Sequence, residues 1–348
     1  MTHFDKILFI GPRSRGGMDA VQSAYEEMMP GARFVSTYRG GSKLGKISDF
    51  LKGYAKTFWL LATHPSIEIL HIHTAAFNSF WRKMKFARLG HLFGKKVILH
   101  IHAGRFGEFM DANEAEVRKA MQSCDGIICL SEEWFDYFHK HSLPNLIAIP
   151  NPIDYPESLS RQEDSDRIHF LFLGVLETQK GVHDLVEAVK RLPKETLNKT
   201  IVHLAGDGSQ REILQKNIHD SGLSDHIKLE GWVTGEKKRE LLRLSQCYIL
   251  PSYKEGLPVS ILEAMAWEMP VISSNVGGIP SIVRDDENGI LFNPGDINAL
   301  SSGIRRIVDN RSSAETMGKV SRRIASHYTP ANILNTLKRY YASLGTTV

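Results

Sequence analysis

The chain has 348 residues, 42% of them hydrophobic and 24% charged. That balance is ordinary for a folded soluble chain and excludes a mainly disordered or fibrous one, and the length predicts about two domains. The net charge is only +4, but residues 33–105 hold 13 Lys and Arg against Asp49 and Glu68, so this segment carries +11 and the remainder −7. Such asymmetry implies a face that meets something anionic.

Cys124, Cys129 and Cys247 lack metal-ligand spacing and read as small buried residues of a reducing compartment. The apolar run within residues 1–11 is too short for a signal peptide, and no 18-residue apolar run exists to span a membrane.

Short apolar runs alternate with amphipathic stretches along the whole chain. In the first half the runs predict strands at Lys6–Ile10, Arg33–Thr37, Glu68–His73, Lys96–Ile101, Gly126–Leu130 and Leu146–Pro150. A break rich in Pro, Ser and charge over residues 150–167 reads as a linker. The pattern then restarts at Ile168–Gly174, Thr200–Gly206, His226–Glu230, Cys247–Pro251, Pro270–Ser274 and Gly289–Phe292. Helical patterns fill the gaps, among them 43–61, 77–93, 182–191, 209–221, 236–245 and 331–344. Strands alternating with helices imply α/β architecture with parallel sheets. The expected fold is two doubly wound, Rossmann-like domains facing across a cleft, with ligands at the carboxyl ends of the strands. The expected boundaries are 1–154, 155–328, and a last helix within 329–348 that either packs back on the first domain or finishes the second.

Five motifs carry chemistry. Ile10-Gly11 leads into Gly16-Gly17 before a helix, where glycines would let backbone approach a phosphate; a plain flexible turn is the alternative. His71 and His73 end the third strand, and His100, His102 and Gly104 end the fourth. Histidines at i and i+2 share a strand face, so a metal is sterically possible, but no carboxylate pattern supports one and packed strand-end residues are the expected reading. Gly174 to Lys180-Gly181 closes a strand and opens a helix, where a lysine can reach a diphosphate but is disfavoured by the helix dipole alone. Gly206-Asp207-Gly208 is a tight strand-to-helix turn that lacks the third glycine of a dinucleotide fingerprint, since Arg211 stands there.

The fifth motif is the longest. It runs from Pro251 through Glu255-Gly256-Leu257-Pro258 and Glu263-Ala264-Met265-Ala266 to Pro270-Val271-Ile272. Pro258 suits the first position of a helix, and the Gly256 and Leu257 amides would lie just before it. Glu255 and Glu263 would sit at one helix end, about two turns apart, where two carboxylates can hold two hydroxyl clusters of one ligand. The plainer alternative leaves Glu255 on the helix dipole and pairs Glu263 with a surface base.

This stretch, with Gly277-Gly278, Asn288-Gly289 and Pro294-Gly295-Asp296 after it, resembles the signature of family-4 retaining glycosyltransferases of the GT-B fold. The resemblance covers about residues 168–300. It implies that Glu255 lies near the donor sugar, that Glu263 binds the ribose hydroxyls, and that His102 contacts the sugar. It implies donor-binding roles for Gly16, Gly17, Lys180, Gly206, Gly208, Gly256 and Leu257. Neither metal nor organic cofactor is expected: Asp164-Ser165-Asp166 falls in the linker and Asp285-Asp286 in a turn. The family has an Arg where this chain has Val175, one cation fewer, which Arg13 or Arg15 would have to supply.

The stretches 43–61 and 77–93 are basic helical patterns interleaved with aromatics. Such helices either lie on an anionic bilayer or face a core with a solvated basic side. No nucleic-acid fold is recognisable, so nucleic acid is not an expected partner. The resemblance implies a hexosyltransferase using a nucleotide diphosphate sugar and a lipid-linked glycan acceptor in bacterial surface polysaccharide synthesis, cytoplasmic and peripheral on the inner membrane face. A GT-B epimerase or phosphorylase, and a silent relative that serves as a binding partner in a glycan assembly complex, are the alternatives.

Overall fold

Apolar side chains packed on both faces of parallel strands explain the short, near-continuous hydrophobic runs. The structure is a computed structural model that describes residues 4–13, 17–38, 43–102, 105–159 and 166–346. All twelve predicted strands form, each within two residues of its expected ends. The chain divides into two units, one of Met1–Pro152 with Pro330–Val348, the other of Ile153–Thr329.

The first unit runs β1 (Ile7–Gly11), α1 (Gly17–Met28), β2 (Arg33–Ser36), α2 (Lys43–Thr63), β3 (Ile69–Thr74), α3 (Asn78–Leu92) and β4 (Lys96–Ile101). It continues with α4 (Phe106–Ala112), α5 (Glu114–Gln122), β5 (Gly126–Cys129), α6 (Glu132–His139) and β6 (Leu146–Ala148). Its sheet has the order β2-β1-β3-β4-β5-β6, parallel throughout.

The second unit runs β7 (Ile168–Leu173), α7 (Val182–Lys190), α8 (Lys194–Asn198), β8 (Thr200–Ala205), α9 (Arg211–Asp220), β9 (Ile227–Gly231) and α10 (Gly235–Leu244). Then follow β10 (Cys247–Leu250), α11 (Val259–Ala266), β11 (Val271–Ser274), β12 (Gly289–Phe292), α12 (Ile297–Asp309) and α13 (Arg311–Ala325). Its parallel sheet has the order β12-β11-β10-β7-β8-β9. The strand order reverses between β7 and β10, and ligands of doubly wound sheets bind outside the carboxyl ends of the strands at such a point.

The last helix, α14 (Pro330–Ser343), belongs to the first unit. There Tyr340 Oη donates to the Asn145 carbonyl at 2.5 Å, and Tyr341 Oη lies 2.7 Å from His71 Nδ1. Both tyrosines are buried, so these bonds satisfy groups that would otherwise be costly to bury.

One expectation about the basic helices needs correcting. Lys83 is not part of a solvated face. It is 3% exposed, its ammonium donating to Thr37 Oγ1, because it falls on the same helical side as the core residues Phe80 and Ala87.

Candidate active site

In the second unit the site is built from the loops that follow β7 and β10, the two strands at the reversal of order. After β7 a single turn, Thr178–Lys180, ends at Gly181 with φ +68°. A Cβ on Gly181 would stand 2.0 Å from the Pro251 carbonyl oxygen, so only glycine lets the Lys180 loop lie directly on the end of β10. That close approach carries Lys180 Nζ to 2.6 Å from Glu255 Oε1. Ser252 Oγ donates to the same oxygen at 2.6 Å. The Glu255 side chain is 9% exposed, and a carboxylate buried to that degree needs such partners. Both bonds fall on Oε1, and Oε2 forms none among the described residues.

Behind Glu255, the turn after β11 packs on the loop backbone. Gly277 has φ +53°, and a Cβ there would lie 2.1 Å from the Glu255 carbonyl oxygen. The Gly278 amide donates to the Gly256 carbonyl at 2.8 Å. Gly277→Ala is therefore expected to cost about 2 kcal/mol of stability and to displace the Glu255 loop, read as a lower urea midpoint together with a loss of activity.

Two details of the α11 start differ from expectation. Pro258 precedes the first helical residue rather than occupying it, with ψ 115° keeping it extended. Glu263 is the fifth residue of α11, a little over one turn in, because the helix begins later than its sequence signal. No side chain caps the start of α11. The Glu263 carboxylate pairs with Lys238 of α10, Nζ to Oε1 at 2.6 Å, with the glutamate side chain 12% exposed. Each of the two motif carboxylates thus has its own lysine.

Gly206 and Gly208 serve close backbone packing. Cβ atoms there would meet the Gly174 and Leu176 carbonyl oxygens at 1.7 and 2.5 Å. The Leu176 amide donates to the Asp207 carbonyl at 2.9 Å, locking the turns after β7 and β8 together. Leu257 is buried, Gly256 is half-buried, and Val175 stands exposed in the β7 turn. A cavity of about 500 Å³ lies away from these loops, between α9 and the edge strand β9, lined by Arg211, Gln215 and Glu230 among others. None of the motif residues lines it.

In the first unit, Gly16 and Arg15 lie outside the described residues, and Gly17 opens α1. The Arg13 side chain is bound to Glu26, so its charge is already engaged. His102 follows β4 with Nε2 2.8 Å from His73 Nδ1, and its Nδ1 is turned inward with no partner among the described residues. His71, His73 and His100 are fully buried and pack together, His71 Nε2 lying 3.1 Å from His100 Nδ1. One ring nitrogen from each of these three lies within 4.8 Å of the others, a spacing that would admit a metal ion. Ring stacking at 4.8 Å between His71 and His73, with the bond from Tyr341, accounts for the same arrangement as packing.

Burial pushes all three rings toward the neutral form, His71 to about 3. The folded unit then holds fewer protons than the unfolded chain below pH about 6.5. Its stability is complete above that pH and declines as pH falls toward about 3. The expected slope is about 1.4 kcal/mol per pH unit for each such histidine, seen as a falling urea midpoint between pH 7 and pH 4. An unchanged midpoint over that range would mean that the rings are accessible to protons.

Sequence reasoning missed Ser252 and Lys238 as partners of the two glutamates. A serine three residues before Glu255 was a local signal; the Lys238 pairing spans 25 residues and had none.

Residues 157–324 match the family model of glycosyl transferases group 1. Over 140 residues the chain is 34% identical to the lipopolysaccharide core biosynthesis glycosyltransferase LpsE of Rhizobium meliloti, covering 40% of this chain and 39% of that protein. Over 135 residues it is 31% identical to O-antigen chain mannosyltransferase B of Escherichia coli, covering 38% and 35%. The matched stretch spans less than half the length of such curated relatives, 40% and 44% in two others. The solved structure of Anabaena HepE in complex with UDP is similar over 99% of this chain and 100% of that one, with a TM-score of 0.76 at 17% identity. The fold is therefore the two-domain, parallel α/β architecture of GT-B glycosyltransferases. The match to the model of glycosyl transferases group 1 falls within its second unit.

Proposed function

We propose that the protein is a retaining, metal-independent hexosyltransferase of the family-4 type. It would move a hexose from a nucleotide diphosphate sugar to a glycan hydroxyl, on a lipid-linked precursor of a bacterial surface polysaccharide. The single observation that carries this reading is the Lys180–Glu255 pair at the strand-order reversal, beside the uncapped start of α11. Departure of a nucleoside diphosphate develops negative charge on phosphate and positive charge on the sugar, and preorganised opposite charges stabilise both. Lys180 is the group for the diphosphate, with the Gly256 and Leu257 amides. Glu255, through its open Oε2, positions the sugar and faces the developing cation. Glu263 is assigned the ribose hydroxyls, exchanging part of its contact with Lys238. His102 is assigned a hydroxyl of the donor sugar. Retention follows if the acceptor attacks from the face that the diphosphate leaves and the leaving phosphate takes its proton.

The relatives' roles in lipopolysaccharide core and O-antigen synthesis support the acceptor class. A screen of nucleotide sugars for nucleotide release, with and without a lipid-linked acceptor, tests the reading. Acceptor-stimulated release from one or a few donors is expected. Absence of release across the panel would favour a catalytically silent binding partner.

We also infer a peripheral position on an anionic membrane surface. No helix of the described residues is long and apolar enough to cross a membrane. Exposed side chains support surface docking: Ile47, Leu51 and Phe58 share one side of α2 with Trp59 beside them, and Trp81 and Leu92 stand out on α3. Lys52, Lys56, Lys85 and Arg88 are exposed on the same two helices. An amphipathic surface of this kind buries its apolar groups at the headgroup boundary while its cations meet anionic lipid. Cosedimentation with phosphatidylglycerol vesicles, lost in 0.5 M salt and weakened about tenfold in Leu51→Ser/Phe58→Ser, is the expected result. Equal binding to purely zwitterionic vesicles would contradict it.

A further inference from the structure

α2 and α3 also enclose a small cavity at the carboxyl ends of β1 and β2. Its volume is about 40 Å³, and its lining is Pro12, Thr37, Tyr38, Phe50, Ser79, Arg82, Lys83 and Phe86. No carboxylate is among these residues. Such a volume holds about three water molecules or one tetrahedral oxyanion.

Two cations converge on it. Lys83 is 3% exposed. Its ammonium carries three N–H donors. One goes to Thr37 Oγ1, whose own hydroxyl donates to the Gly11 carbonyl at 3.2 Å, and the ammonium lies 5.8 Å from the Phe86 ring centre. No anion meets it among the described residues. The Arg82 guanidinium forms no hydrogen bond or ion pair among the described residues either. Burial and the neighbouring Arg82 hold the Lys83 pKa well below the ordinary lysine range. With no anion beside them among the described residues, holding Lys83 charged next to Arg82 is costly, and an oxyanion in the cavity would favour the charged lysine and pair with both groups. Ser79 and Tyr38 add hydroxyl groups to the lining. Arg82 adds the forked donor geometry that suits phosphate.

We propose that this cavity is a binding site for a phosphate group, separate from the donor diphosphate site of the second unit and formed wholly within the first. The exposed apolar and basic side chains lie on the same two helices as the cavity, α2 and α3. A phosphate carried by a lipid at the bilayer surface and a soluble phosphorylated compound offer the same chemistry to Arg82 and Lys83. If the transferase reading holds, the phosphate is that of the acceptor carrier; the site itself rests only on the cavity and its cations.

The test uses the full chain and two probes, inorganic phosphate and a short-chain isoprenyl monophosphate below its micellar concentration, measured by titration calorimetry. Saturable binding of at least one probe is expected, weakened at least tenfold in Arg82→Ala and in Lys83→Met, with affinity for a nucleoside diphosphate unchanged in both. Tighter binding of the isoprenyl compound would assign the lipid-borne source, and equal binding the soluble one. Arg82 is only half-buried, so Arg82→Ala carries the test if Lys83→Met does not fold. Absence of binding of either probe, or variants that bind like the parent, would overturn the proposal. Failure of the donor screen with phosphate binding intact would remove the transferase reading and leave this site standing.

Discussion

Glu255→Gln is expected to lower kcat about 100-fold or more, while the donor KM changes less than tenfold. The substitution keeps the size of the side chain and its bond from Ser252, so the loop has no steric reason to move. What it removes is a negative charge, 9% exposed and held in place by Lys180 and Ser252. A charge fixed in a partly dehydrated site acts on the transition state without reorganising, which is why losing one such group costs about 10²- to 10³-fold. Because the positive charge on the sugar develops only as the diphosphate leaves, the loss falls on kcat rather than on ground-state binding. Steady-state kinetics with the preferred donor measure both parameters. Activity within threefold of the parent would remove Glu255 from the reacting centre.

Lys180→Met is expected to have the larger effect on kcat/KM, a fall of about 10³-fold, divided between a weaker donor KM and a lower kcat. Lysine here has two tasks. It holds Glu255 Oε1 at 2.6 Å, and in the proposed role it would also offer its remaining N–H donors to the diphosphate in both ground and transition states. Removing it leaves a largely buried carboxylate with Ser252 as its one remaining side-chain partner among the described residues, so the variant is also expected to unfold at lower urea concentration. Since the two residues act as one unit, Glu255→Gln/Lys180→Met is expected to be no worse than the weaker single variant. Additive losses in the double variant would show that the two side chains act independently.

The strands were legible because parallel sheets buried on both faces need uninterrupted apolar runs. Ile168–Leu173 is buried at every position and reads as such without any neighbour. The long motif from Pro251 to Ile272 was legible for a different reason: its backbone is packed on by Gly181, Gly277 and Gly278, where a Cβ would come within 2.0 to 2.8 Å of the Pro251, Glu255 and Gly256 carbonyl oxygens, so these glycines keep a fixed place beside it in the sequence. What was not legible depends on partners distant in the chain. The pairing of Glu255 with Lys180 joins residues 75 apart, and that of Glu263 with Lys238 joins residues 25 apart. Lys83 shares a helical side with Phe80 and Ala87, while its charge alone groups it with the other bases of the stretch 77–93, so composition hid its burial. The histidines at the ends of β3 and β4 share a face as alternation predicts, yet nothing local announced that Tyr341, 270 residues on, would bond to His71.

The central claim is that the second unit's carboxylate–lysine pair supports transfer with retention from a nucleotide diphosphate sugar. Proton NMR of the anomeric signal of the newly formed linkage tests it most directly, run with the parent and with Glu255→Gln. The account predicts a product with the same anomeric configuration as the donor, accumulating about 100-fold more slowly in the variant. A product of inverted configuration, or one formed equally fast by both, would contradict it.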